Sequence, residues 1–202
     1  VCRGPQRHGF RDQKLIEAAL LRMGKKASPA LWRPLLDSFS CFTATAFLPV
    51  LTRGLNHADP SVGAYAAEIA GRLNQPAVIP ALLTVLKAQA KLCSSGDPAG
   101  AWADRCVWLT YAPGAALYNA RPDDPVRDRV VEAVSEMTRS THPKVREVAV
   151  ETLHTAGRPA AIEPLRRMIA LERKKGGFAR PNRAAMVARF DKRLRALEAS
   201  NG

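Results

Sequence analysis

Apolar residues recur three and four positions apart along most of the chain, the spacing that turns one side of an α-helix toward a core. The pattern is clearest in two segments of the same layout. The first, Asp59 to Leu83, reads DPSVGAYAAEIAGRLNQPAVIPALL, and the second, His142 to Arg166, reads HPKVREVAVETLHTAGRPAAIEPLR. Pro60 falls on Pro143, Val62 on Val145, Ala67 on Val150, Ala70 on Leu153, Ile79 on Ile162 and Leu82 on Leu165, without a gap and at a constant offset of 83 residues. Half of that offset, about 41 residues, lies within the span of two-helix repeats.

Each segment predicts a helix, a short break and a second helix. Pro60 and Pro143 suit a first helical turn, where a missing N–H costs nothing and φ is already set. Asp59 is a good N-cap, because its carboxylate accepts from orphan N–H groups; His142 is a poorer one. Val62, Ala66, Ile69, Ala70 and Leu73 then form an apolar side, as do Val145, Val148, Ala149, Leu153 and Ala156. Asn74-Gln75-Pro76 and Gly157-Arg158-Pro159 break the chain before the second helix. Ala66, Ala67, Ala70 and Gly71 are small enough for neighbouring helices to approach closely. One helix pair cannot bury its apolar side alone, so stacked neighbours must complete the core.

The rest of the chain fits this plan less regularly. Residues 1–10 read as an irregular basic arm. Asp12 caps a helix to about Met23, which Gly24-Lys25-Lys26 ends. Ser28-Pro29 opens the next helix, carrying Leu31, Trp32, Leu35, Leu36 and Phe39. After a break at Thr43 to Thr45, a third runs from about Ala46 to Asn56, with Pro49 in its first turn. Segment 93–125 reads as irregular. It comprises a turn-rich loop from Cys93 to Gly100, a degenerate middle repeat around Trp102 to Leu109, and interruptions at Ala112-Pro113-Gly114 and Arg121 to Pro125. A cleaner helix follows Pro125, and a last one runs from about Asn182 to Ala199. The fold class expected is all-α: one domain over 11–202, an α-solenoid of about nine to ten helices in antiparallel pairs, closed by a basic C-terminal cap at 173–199.

The repeated segment resembles the HEAT-repeat family, in the short bacterial form also found in phycobilin lyase subunits. The family pattern is roughly D-P-x-V-R-x-x-A-A-x-A-L-G, a break, then A-I-P-x-L. Asp59, Pro60, Val62, Ala66, Ala67, Ile69 and Gly71 match it, as do Ala77, Ile79, Pro80 and Leu82. The second copy keeps Pro143, Val145, Arg146, Ala149, Ala161, Ile162 and Leu165. It departs at His142 for Asp and at His154 for Gly, and the first copy has Gly63 where the family often carries Arg. The resemblance covers about a quarter of the chain. It implies a solenoid that recognises proteins, sometimes nucleic acid, and it brings no catalytic residues.

Charge adds a second theme. With 31 Lys and Arg against 18 Asp and Glu, the formal charge is +13. That balance favours acidic partners or, failing those, a solvated arginine-rich surface. Between Arg173 and Arg195 stand Arg173, Lys174, Lys175, Arg180, Arg183, Arg189, Lys192, Arg193 and Arg195 against Asp191 alone. A helix with such a face can track phosphates or an acidic protein. Trp102, Trp108, Tyr111 and Tyr118 are candidate interface aromatics, since rings anchor protein interfaces and stack on bases. Cys93 and Cys106 flank the Ser/Gly/Pro loop and can pair in an oxidising compartment; Cys41 reads as a small buried hydrophobe. The four histidines have no metal-ligand spacing, and no GxGxxG, Walker-type loop or GxSxG is present. No metal or cofactor is therefore expected.

No run reaches the ~18 apolar residues of a membrane helix, and no signal-like start is present, which favours a cytoplasmic protein. The chain begins with Val1 rather than Met, so a removed targeting segment fits as well. The reading preferred is a non-enzymatic scaffold or adaptor with a protein partner. A nucleic-acid-binding solenoid is the alternative. A third reading is a glycosylase-like enzyme, because some DNA glycosylases resemble HEAT solenoids and work without a compact motif.

Overall fold

The computed structural model of the chain describes residues 28–39, 44–96, 98–174 and 183–201, with Arg22. Among them there are ten α-helices and no strand. They are α1 (Pro29–Phe39), α2 (Ala44–Leu55), α3 (Pro60–Arg72), α4 (Ile79–Ala88), α5 (Ala90–Ser95), α6 (Ala101–Ala116), α7 (Val126–Ser135), α8 (Pro143–Ala156), α9 (Ile162–Lys174) and α10 (Arg183–Asn201). The N-terminal arm, the helix expected from Asp12 apart from Arg22, and Cys41 lie outside the described residues.

The two copies of the repeat form matching elements. Asp59 caps α3 by accepting from the Ser61 N–H at 2.9 Å, whereas His142 gives α8 no side-chain cap. Both first helices end on a left-handed residue, Asn74 at φ 49° and Gly157 at φ 67°, which occupy the same repeat position. Glycine and asparagine are the residues that enter this region most readily. A 3-10 turn follows in each copy, Pro76–Val78 and Pro159–Ala161. Val62 and Val145, Ala66 and Ala149, Ala67 and Val150, and Leu82 and Leu165 are buried pairwise.

Helix α3 packs along α6, and α6 along α8; α1 lies against α3 at one end and α10 against α8 and α9 at the other. On the second layer α2 meets α4, α4 meets α7, and α7 packs on α8. A continuous apolar cluster runs from Trp32 in α1 to Leu197 in α10. Small residues set the closest approaches. A Cβ on Gly71 would stand 3.3 Å from Ala112 Cα, and one on Gly114 would stand 2.9 Å from Thr152 Cα.

The middle of the chain is more regular than its sequence suggests. The interruption expected at Ala112-Pro113-Gly114 is absent: α6 passes through all three residues, which are buried. Proline inside a helix removes one hydrogen bond and costs about 3 kcal/mol in isolation. Here the packing of α6 between α3 and α8 outweighs that local preference. Pro34 and Pro49 also lie inside helices, Pro49 in the second turn of α2 rather than its first. Thr45 is helical instead of marking a break. The loop expected from Cys93 is helical as far as Ser95, as part of α5. Cys93 and Cys106 form a disulfide across the remaining loop, with a Cα–Cα distance of 5.4 Å. Ser140 Oγ donates to the Cys93 carbonyl at 2.5 Å, tying this staple to the turn before α8.

Several arginines hold turns together. Arg105 Nη1 donates to the His57 carbonyl at 3.0 Å, and Nη2 donates to that of Leu55. Its guanidinium fills the space beside Gly63, where a Cβ would lie 2.7 Å from Cζ. In the second copy Arg146 stands at the position of Gly63. Its Nη1 donates to the Ser140 and Thr141 carbonyls at 2.6 and 2.9 Å, and its Nε to Glu172 Oε1 at 2.6 Å. The same service to the inter-helix turn thus comes from within the repeat in one copy and from the next helix in the other. Arg127 donates to the carbonyls of Leu117, Ala120, Arg121, Thr155 and Ala156, joining the ends of α6 and α8.

Candidate interaction surface

Positions Asp104, Trp108, Tyr111, Ala115 and Tyr118 follow one another at alternating steps of four and three residues. That step keeps them on one side of α6 and of the 3-10 turn, Leu117–Asn119, that extends it. The side is turned outward. Tyr111 is 40% and Tyr118 80% exposed; among the described residues Leu31 at 54% and Trp102 at 38% are the other large apolar groups open to solvent. Trp108 and Tyr111 meet edge to face, with ring centroids 5.8 Å apart, a favoured aromatic geometry.

A groove flanks this stripe on either side. The one between α1, α3 and the first half of α6 measures about 380 Å³; Trp32, Arg33, Tyr65, Glu68, Asp104 and Trp108 line it among others. The one between the second half of α6 and α8 measures about 250 Å³, with Asn74, Tyr111, Tyr118, Glu151 and Thr155 around it. In the first groove the Arg33 guanidinium stands 4.7 Å from the Tyr65 ring centroid, and the Tyr65 hydroxyl donates to Asp37. Burial and the Asp37 carboxylate push the Tyr65 hydroxyl above its ordinary pKa. Glu68 pairs with Arg72 on its own helix.

Of the four aromatics singled out in the sequence, the structure brings Trp108 and Tyr111 together, exposes Tyr118 on the same side and sets Trp102 apart. Six positions from Trp108, Trp102 points about 120° round the helix and has Arg105 over its ring at 5.1 Å. Tyr65 belongs to the surface and was not anticipated. Its only signal is the step Ser61, Tyr65, Glu68, Arg72, which marks the outward side of α3 but not what lies beside it.

Among the described basic C-terminal residues, Arg173, Arg189 and Arg193 are engaged within the fold. Arg173 pairs with Asp191. Arg189 reaches Glu147 at 2.6 Å and Glu151 at 3.6 Å, and Arg193 pairs with Glu151. Burial would raise Glu147, but hydrogen bonds from Lys144 and Arg189 outweigh it and hold the carboxyl below its ordinary range. Lys192 is exposed. Lys175 and Arg180, and the side chains of Lys174 and Arg183, lie outside the described residues. These ion pairs clamp α10 onto α8 and α9, and through Glu151 they reach the edge of the second groove.

Among the described residues no group of three or more His, Cys, Asp or Glu is placed to hold a metal ion, and no helix is long and apolar enough to cross a membrane. The chain matches no family model, no curated protein and no solved structure.

Proposed function

We infer that this chain is a HEAT-like α-solenoid that serves as an adaptor, binding a protein partner on the outward side of α6. The periodicity of the helices supports the architecture. Helices α3, α6 and α8 begin at Pro60, Ala101 and Pro143, 41 and 42 residues apart, and each is followed by a 3-10 turn that opens 16 residues after the helix does. The binding role rests on the stripe of Trp108, Tyr111 and Tyr118 between two grooves. A half-buried Trp108 followed by the exposed rings of Tyr111 and Tyr118, beside concavities, is the kind of group that anchors protein interfaces.

A random 12-residue peptide library displayed on phage tests this reading. Peptides recovered on the full chain are expected to lose about tenfold or more in affinity on Tyr111→Ala/Tyr118→Ala, the loss of one anchor or more. Both residues are exposed, so the variant keeps its helical circular dichroism. Recovery of the same peptides on both proteins would sink the reading.

The formal charge of +13 supports nucleic-acid binding as the second reading. Labelled duplex DNA and RNA, titrated at two ionic strengths, separate it: binding that weakens steeply with salt is its signature. No binding at low salt removes it.

A further inference from the structure

The groove between α1, α3 and α6 differs in charge from the molecule around it. In a chain of net charge +13, its lining carries two carboxylates, Glu68 and Asp104, and one cation, Arg33. Arg33 is stacked on Tyr65 and Glu68 is paired with Arg72. Asp104 is exposed and makes no ion pair among the described residues. One helical turn further on stands Trp108, half-buried, with no described cation over its ring. Elsewhere the chain supplies such rings with its own arginines: Arg33 over Tyr65, Arg105 over Trp102 and Arg189 over Phe190.

We propose that this groove receives a lysine or arginine side chain from the partner, its stem along Trp108 and its charged head on Asp104. An aromatic face beside a carboxylate suits a long cationic side chain on both counts. The methylenes cover the ring, the charge is attracted to the ring face, and the head gains a charge-assisted hydrogen bond. On the other wall of the groove the chain already pairs a cation with a ring, Arg33 with Tyr65. The partner segment therefore carries at least one basic residue next to apolar ones, which meet Tyr111 and Tyr118. An acidic segment would set its carboxylates against Asp104 and Glu68.

The proposal rests on the adaptor reading, and the same phage-displayed library separates the two. Wild-type protein, Tyr111→Ala/Tyr118→Ala and two variants at the exposed Asp104, Asp104→Asn and Asp104→Lys, are used as targets. Peptides that depend on the tyrosines are expected to be rich in Lys or Arg. They should bind Asp104→Asn about twofold to fivefold more weakly, the scale of one exposed cation contact, and Asp104→Lys should recover acidic sequences instead. Tyrosine-dependent peptides that are neutral or acidic, or that bind Asp104→Asn unchanged, overturn the cation site while leaving the aromatic surface standing. If no peptide depends on the tyrosines, both readings fall. Unchanged helical circular dichroism of the Asp104 variants excludes loss of fold as the cause.

Discussion

Gly114 has no room for a methyl group. A Cβ there would stand 2.9 Å from both Thr152 Cα and Thr152 Oγ1, so backbone would have to move. Gly114→Ala gains helix propensity, yet it should lower stability by a net of about 1–3 kcal/mol through overpacking. Chemical denaturation measures it. The buried pair of Arg146 and Glu172 gives a second test. Glu172→Ala leaves the guanidinium buried without its carboxylate and should cost about 3–5 kcal/mol. A midpoint unchanged in urea would show the pair to be dispensable. His154 gives the third. Burial lowers its pKa below the ordinary 6.5 and the charge of Arg193 adds to this, while Glu151 pulls it the other way. The unfolded chain then takes up the proton more readily than the folded one. Its contribution is complete above about pH 6.5 and is lost as the pH falls below that. The melting temperature should decline on that acid limb, and His154→Gln should flatten the decline.

Among the elements, α5 and α6 depend on each other through their disulfide. The loop closed between Cys93 and Cys106 is short, with a separation of 13 residues. Constraining the unfolded chain by a loop of this size is worth about 3 kcal/mol. Reduction with dithiothreitol should therefore lower the unfolding midpoint by about that amount while the helical signal at 222 nm persists. A reduced protein as stable as the oxidised one would show that packing alone positions Cys93 and Cys106. Helix α10 is held differently. Phe190 and Leu197 are its buried anchors, and Arg189 and Arg193 add ion pairs to α8. Ion pairs with exposed members contribute little, about 0–1 kcal/mol each, so the apolar anchors decide whether α10 stays docked.

For the molecule as a whole, the excess of arginine has a structural use. Arg105, Arg127 and Arg146 serve as carbonyl clamps at turns, so part of the charge that suggests an acidic partner is structural. The side of α6 that carries the aromatic stripe is of another character, with Asp104 making no ion pair among the described residues. Net charge alone would have pointed to phosphate. The peptide proposed above, with basic and apolar residues, should lose binding only modestly as ionic strength rises if the rings supply most of the contact.

Much of the fold was legible in the chain because helical periodicity and capping are local. Val62 and Val145 recur with their proline and small-residue neighbours, and residues three or four apart must share a side whatever else the chain does. The interruption foreseen at Pro113 was not there, since the helix is rescued by neighbours far away in sequence. Arg105 is likewise silent in the sequence: its partners, Leu55 and His57, lie about fifty residues back, and the space it fills exists only because Gly63 faces it. The candidate surface shows the same division. That Trp108 and Tyr111 share a side follows from their spacing. That Asp104 joins them follows from the same spacing, but that Tyr65 stands across a groove from them was decided by how α3 and α6 pack, a contact between separate helices that no local pattern encodes.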